Sequence, residues 1–253
     1  MNNTFVTLPD DRLAWLKSTG DALLDLLFPP HCVVCRAIGT WLCPRCLAQA
    51  DTISPPVCAR CGLPRDTVPG DCVHCHVDSS PLDGIRAAAY HSGPVRTAIH
   101  QLKYEDLRAL ARPLGAWMIE RWAALAPLGW EPDVIVPVPL HPTRQRQRGY
   151  NQAALLARAL GQGLQRTVIV DRLVRTRATA PQVGLSPPER RANVAGAFCC
   201  TANDFGGKCV LLVDDVYTTG STLGAACEAL LRAGASSVWA YCLARARPQA
   251  REI

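Results

Sequence analysis

Two kinds of run are missing from these 253 residues. No uninterrupted apolar stretch is long enough to span a bilayer, which excludes a helical membrane protein. Nor does a basic start lead into a continuous apolar core. The amphipathic run from Leu13 to Phe28 is broken by Asp21 and Asp25, so no export signal is read and a cytoplasmic home is expected. Lysine is scarce: only Lys17, Lys103 and Lys208 occur, and 24 of the 27 basic residues are arginine. Arginine suits planar phosphate recognition, but a biased genome produces the same ratio. The net charge of +6 therefore permits a nucleic-acid partner without requiring one. Two nucleotide-binding signatures are absent as well. A Walker-type loop needs a lysine before its Ser/Thr, and the dinucleotide fingerprint needs three spaced glycines. What remains is a globular chain, 49% hydrophobic with a mean hydropathy of +0.06. Its length suits one full domain and a small satellite.

The densest chemistry lies in Val210-Leu-Leu-Val-Asp214-Asp215-Val-Tyr-Thr218-Thr219-Gly220-Ser221-Thr222. Four apolar residues lead into two carboxylates, a hydroxyl- and glycine-rich turn follows, and Leu223, Ala226, Cys227, Leu230 and Leu231 then fall at helical spacing. The reading is buried strand, tight loop, helix. Such a joint aims backbone N–H groups and the positive end of a helix dipole at the loop, which suits a phosphate. Gly220 admits the ligand closely, and Thr218, Thr219, Ser221 and Thr222 offer hydroxyl donors. Asp214 and Asp215 would repel a phosphate. Vicinal hydroxyls, met directly or through a metal ion, are their natural partner. Phosphate on one side and diol on the other describe a ribose 5-phosphate.

Cysteine is abundant, thirteen in all, and unevenly placed. Eight form Cys-x2-Cys pairs in the first third: Cys32/Cys35, Cys43/Cys46, Cys58/Cys61 and Cys72/Cys75. Each knuckle can present two thiolates to one tetrahedral ion, so eight predict two closed, structural zinc sites, about two ions per chain. A disulfide framework conflicts with a reducing compartment, and the spacings match neither ferredoxin pattern. Consecutive and interleaved pairings both satisfy the spacing. His31, His74 and His76 read as bystanders. Metal binding is folding energy for so small a segment, which predicts that a chelator unfolds residues 32–75 and spares the rest. Cys199, Cys200, Cys209, Cys227 and Cys242 read as small core hydrophobes.

From Ile85 onward strand-like and helix-like segments alternate. Strands are expected over Ile85–His91, Asp133–Leu140, Val168–Val170, the motif and Val238–Leu243. Helices are expected over Val95–Trp122, interrupted at Pro113, over Gln152–Leu164, and after the motif. This is an α/β fold, a doubly wound parallel sheet with the motif loop at the carboxyl edge of its strands. Expected domains are an N-terminal helical extension over 1–31, a Cys-rich double zinc ribbon over 32–80 and the sheet domain over 84–253. The turn Pro137-Val-Pro-Leu140-His141-Pro142 is rigid, and its prolines leave Leu140 and His141 as the main N–H donors. Arg144, Arg146 and Arg148 read as a basic turn before a helix, a pyrophosphate or nucleic-acid contact or else a solvated one. The polar stretch from Leu173 to Phe198, with Arg175, Arg177, Gln182, Arg191 and Asn193, reads as a long irregular loop.

The phosphate-loop stretch resembles the 5-phosphoribosyl-1-pyrophosphate (PRPP) motif of type I phosphoribosyltransferases. With the four knuckles, Ile99-His-Gln-Leu-Lys103-Tyr104, Pro137-Val-Pro139, Arg148-Gly-Tyr-Asn-Gln152, Gln182, Arg191-x-Asn193 and Gly196-Ala-Phe198, the chain resembles the ComF competence-protein family over most of its length. The resemblance implies a phosphoribosyltransferase-type sheet, PRPP bound with magnesium, and a role in handling imported single-stranded DNA, with a helicase-like uptake protein as a partner. It places Asp214 and Asp215 on the ribose, Thr218–Thr222 on the 5-phosphate, and Leu140, His141, Arg144 and Arg148 toward the pyrophosphate. It implies a lid for the loop after Leu173. One departure stands out: purine-specific type I enzymes carry a further carboxylate where this chain has Thr218. An amidotransferase is not expected, since no cysteine follows Met1. Two function classes stay open, a phosphoribosyl transfer enzyme and a nucleotide-sensing DNA-binding module. A zinc adaptor alone leaves the Asp pair unexplained.

Overall fold

The computed structural model describes residues 29–65, 72, 75, 80–178, 187–202 and 204–248, with only the backbone of Pro187, Pro188 and Arg191. Leu13–Phe28, His74, His76 and Gln182 lie outside the described residues. Among the described residues seven strands form: β1 Gly84–Tyr90, β2 Val134–Pro137, β3 Thr167–Val168, β4 Leu173–Arg175, β5 Phe198–Cys200, β6 Cys209–Tyr217 and β7 Ser237–Arg245. The helices are α1 Pro44–Leu47, α2 Gly93–Tyr104, α3 Ala111–Leu125, α4 Pro142–Arg148, α5 Gln152–Leu164, α6 Pro187–Val194 and α7 Ser221–Arg232.

Five strands make a sheet in the order β1-β7-β6-β2-β3, every neighbouring pair parallel. The expected α/β architecture is therefore present. Its strands are apolar runs rather than alternating ones because both faces are covered. Val210, Leu212, Val134, Val136, Val238 and Ala240 pack on one side with Leu223, Ala226 and Leu230 of α7. Leu211, Val213, Ile135, Tyr241 and Leu243 pack on the other, with α2, α3 and α5. A separate antiparallel pair, β4 with β5, stands beside the sheet.

Three expectations are revised. The break in the long helical stretch falls not at Pro113 but at Glu105–Leu107, where Asp106 adopts φ 51°. Pro113 sits in the first turn of α3, where a missing N–H costs nothing. The stretch from Leu173 to Phe198 is not structureless: it contains β4 and α6 and runs into β5. Cys199 is exposed, because strand alternation turns Phe198 inward and Cys199 outward. Of its companions, Cys227 and Cys242 are buried as expected, and Cys200 and Cys209 are half-buried.

The cysteine pairs assemble consecutively. Cys32, Cys35, Cys43 and Cys46 form one group and Cys58, Cys61, Cys72 and Cys75 another, with the sulfurs of each group within 4.8 Å of one another. Sulfur separations of 3.5 Å for Cys58–Cys75 and 3.6 Å for Cys35–Cys43 and Cys61–Cys72 are far from a disulfide and near the edge, about 3.8 Å, of a tetrahedron with 2.3 Å zinc–sulfur bonds. All eight donors are thiols, so the sets fit two structural zinc ions.

Neither group stands apart from the sheet. The Ile53 N–H donates to the Ala88 carbonyl at 3.1 Å and the Tyr90 N–H to the Asp51 carbonyl at 2.8 Å, covering the free edge of β1. Cys32, Cys43 and Cys46 share the apolar layer of α2 and α3. The second cysteine group, through Cys58–Cys61, caps two arginines that are each 5% exposed. Arg86 donates to the Ala59 carbonyl at 2.9 Å, and Arg245 to the Cys61 carbonyl at 2.5 Å. Buried guanidinium groups without such acceptors are costly.

Chelation should therefore not spare the sheet, contrary to the expectation from sequence. Stripping both ions should produce one concerted loss of far-UV dichroism and of the fluorescence of Trp239, whose ring lies 4.7 Å beneath Arg86. Elemental analysis of untreated protein should give about two zinc ions per chain. A knuckle transition that leaves the Trp239 signal unchanged would show the two parts to be independent.

Candidate functional site

Adjacent residues on a strand point to opposite faces, and this separates the two carboxylates near the end of β6. Asp214 lines a small cleft with Thr218, Gly220, Ser221 and Thr222. Asp215, 3% exposed, turns the other way, toward α2 and α5. Its Oδ2 pairs with the Lys103 ammonium and its Oδ1 accepts from the Gln152 amide at 3.2 Å. The Asp215 N–H in turn donates to Asp214 Oδ1 at 2.8 Å.

The electrostatics follow from that arrangement. Burial and the neighbouring Asp215 push the Asp214 carboxyl well above the usual carboxylate range. Burial acts on Asp215 in the same sense, but the Lys103 charge and the hydrogen bonds from Lys103 and Gln152 outweigh it and hold Asp215 below its ordinary value. Lys103 is held above its usual range by Asp215, against the pull of burial. His91, at the end of β1, is lowered by burial and by Lys103. The pair thus keeps one charged carboxylate behind the site and one readily protonated carboxyl in it.

The stretch Arg148-Gly-Tyr-Asn-Gln152 builds the support for Asp215 from local rules. Gly149 takes φ 78° as the left-handed cap that ends α4, its N–H donating to the Gln145 carbonyl at 2.7 Å. The Tyr150 hydroxyl donates to the Leu102 carbonyl, fixing α2 one residue before Lys103. Asn151 starts α5: its Oδ1 accepts from the Ala153 N–H at 3.0 Å, and its amide donates to the Val138 carbonyl at 2.9 Å. Gln152, 4% exposed, then reaches Asp215 while its Oε1 accepts from Arg148 at 2.5 Å.

The loop after β6 is short because the strand continues to Tyr217. Gly220, at φ 77°, precedes α7, and a Cβ there would lie 2.9 Å from the Tyr217 ring. The Thr219 and Ser221 hydroxyls are 3.0 Å apart. Tyr217 is itself held by its register partner on β7: the Arg245 guanidinium lies 5.0 Å from the ring centroid.

The structure distributes the sequence-predicted residues over three places rather than one. Asp214, Thr218, Gly220, Ser221 and Thr222 share the loop cleft, and Thr219 lines a separate pocket with Gly220, Ser221 and Glu228. Leu140 and His141 form the turn after β2, where His141 Nδ1 accepts from the Thr143 N–H at 3.3 Å. Arg144 and Arg148 are not on a turn, as expected, but on α4, where Pro142 opens the helix and Gly149 closes it. There they share a helix face and line a second cleft with Lys103 and Tyr104. Lys103 and Gln152 had been quoted from sequence without a role. The rarity of lysine was the one available signal for Lys103. Arg245 and Tyr217 carried none.

Comparison with known proteins finds relatives for both parts of the chain. Residues 23–77 match the double zinc ribbon domain and residues 100–253 the phosphoribosyl transferase domain. The DNA utilization protein YhgH of Escherichia coli K12 is 35% identical over 226 residues, covering 87% of this chain and 99% of that protein. Competence protein F of Haemophilus influenzae is 32% identical, covering 85% and 97%. Among solved structures, the purine phosphoribosyltransferase of Pyrococcus horikoshii aligns with a TM-score of 0.33 at 21% identity, covering 53% of this chain and 72% of that one.

The two aspartates should respond oppositely to amide substitution. Asp215→Asn leaves the Lys103 ammonium without its close counter-charge and should cost about 3 kcal/mol of stability. Asp214→Asn removes a buried carboxyl beside a like charge and should leave the melting temperature unchanged or higher. Because the folded Asp214 pKa is raised, whatever stability it contributes is present at low pH and lost as pH rises through that value. The advantage of Asp214→Asn over wild type should therefore grow from acid to neutral pH. Thermal melts across that range check both; equal destabilisation by the two variants would contradict the assignment.

Proposed function

Because the chain belongs to the family of the DNA utilization protein YhgH and competence protein F, a double zinc ribbon joined to a phosphoribosyl transferase domain, we propose that it binds PRPP, or a related ribose 5-phosphate, and handles imported single-stranded DNA during natural transformation. A cytoplasmic setting and a helicase-like uptake partner belong to the same reading. So do the unit boundaries 32–80 and 84–253. One observation carries the ligand assignment: Asp214 and the loop residues Thr218, Gly220, Ser221 and Thr222 line a single cleft at the carboxyl edge of a parallel sheet.

The chain's own groups divide the work. Ser221 opens the twelve-residue helix α7, so the first-turn N–H groups and the Thr219, Ser221 and Thr222 hydroxyls would cradle the 5-phosphate. Gly220 would let it approach, and Asp214 would meet the ribose hydroxyls. Asp215 would act from behind, orienting Lys103 and Gln152 rather than touching the sugar. Leu140 and His141 would offer donors toward the pyrophosphate. Magnesium, held by the ligand and by Asp214, would neutralise pyrophosphate charge and favour the ionised carboxylate. Transfer of the phosphoribosyl group to an acceptor is the second reading, favoured by an acid beside the carbon where positive charge would develop. Thr218 offers no carboxylate to help with the proton.

Titration calorimetry tests the site. Wild type should prefer PRPP and ribose 5-phosphate to inorganic phosphate, with magnesium strengthening PRPP most. Asp214→Asn should weaken PRPP by about tenfold or more while sparing phosphate. It should also remove the rise of magnesium-dependent affinity with pH that a raised carboxyl imposes. Gly220→Val should abolish both, since its side chain meets the Tyr217 ring. No preference for ribosyl ligands over phosphate would leave only a phosphate nest.

A further inference from the structure

The second cleft, between the end of α2 and α4, has a volume of about 480 Å³, the size class of small-molecule and nucleotide sites. Its lining is unlike the phosphate loop. Arg144 and Arg148 project from successive turns of one face of α4, and Arg144 makes no ion pair among the described residues. Arg148 spends one N–H on Gln152 and keeps others to offer. The acidic member of the lining, Asp106, is already paired with Arg108 at 2.8 Å, and the Lys103 charge is consumed by Asp215. Tyr104 shares the lining of the cleft, and its 63% exposure is high for a large ring. It is propped by the His100 ring at 4.9 Å and lies 5.5 Å from the Arg148 guanidinium.

An exposed tyrosine in one cleft with two arginines combines the two elements that hold single-stranded nucleic acid, a stacking surface for a base and cations for the adjoining phosphates. Free phosphate or pyrophosphate would use the arginines and leave the ring without a purpose. An acidic peptide has the same shortcoming. A duplex hides its base faces. Resting on the DNA reading above, we propose that this cleft is a nucleobase-stacking subsite for single-stranded polynucleotide. A base lies on Tyr104, and its flanking phosphates sit on Arg144 and Arg148. Lys103 joins the cleft to Asp215, so the strand is held beside the ribose-phosphate site and not at a remote surface.

Fluorescence anisotropy with a labelled oligothymidine and an abasic strand of equal length tests this on the full zinc-loaded chain, across a salt series. Wild type should prefer the base-bearing strand by about tenfold. Tyr104→Phe should keep that preference and Tyr104→Ala should erase it. Because Tyr104 is exposed, neither change should alter the melting temperature. Arg144→Gln should lower affinity for both strands and flatten the slope of log K against log salt by about 0.7, leaving the base preference intact. A preference that survives in Tyr104→Ala, or equal binding of the two strands by wild type, would overturn the subsite while leaving the broader DNA reading standing. Displacement of the oligomer by polyglutamate as effective as by unlabelled oligothymidine would overturn it in favour of an acidic protein partner. No binding of either strand would remove the DNA reading itself, and the subsite with it.

Discussion

A buried ion pair organises this molecule. Lys103 on α2 and Asp215 on β6 are far apart in sequence, and their charges sit where water does little to screen them. Such a pair is favourable only when its remaining hydrogen-bonding capacity is met, and the surrounding chain meets it. Gln152 takes the second carboxylate oxygen, Arg148 orients Gln152, and Tyr150 pins the residue before Lys103. The position of α2, the end of α4 and the start of α5 all serve one charge pair.

Two carboxylates adjacent in sequence are thereby given different chemistry by a property of strands alone. Alternation sends one toward a cation and the other toward the phosphate loop. The first is held ionised, while the second, buried beside a negative neighbour, keeps its proton easily. A cation or a diol entering the cleft meets a group whose charge responds to its arrival.

Much of this was legible from residue order, and the reasons for the rest are physical. The strand–loop–helix joint announced itself through an apolar run followed by helical spacing, because the strand is buried on both faces and the helix on one. The four knuckles were legible because metal ligation demands fixed spacing; their consecutive grouping required coordinates. Helix α4 was missed because it buries nothing. Its signals are the end residues Pro142 and Gly149, which periodicity ignores. The strands β4 and β5 are three residues each and gain their order from pairing with one another. The partnership of Lys103 with Asp215 was invisible for the plainest reason: contacts distant in sequence leave no trace in spacing. The difference between Asp214 and Asp215 was in principle readable, had the strand been extended through both.

The row Tyr90, Arg245 and Tyr217 runs side by side across the ends of β1, β7 and β6. The second cysteine group packs on Tyr90 and caps Arg245, while Tyr217 flanks the loop at Gly220. The cysteine-rich segment is thus part of the scaffolding of the loop, not a detachable tag before it. A fragment beginning at the sheet would carry Arg245 without its Cys61 acceptor and Arg86 without those at Cys58 and Ala59, leaving Arg86 only Leu125 and Ile85. A different N-terminal module on this sheet would have to offer carbonyls at the same two places.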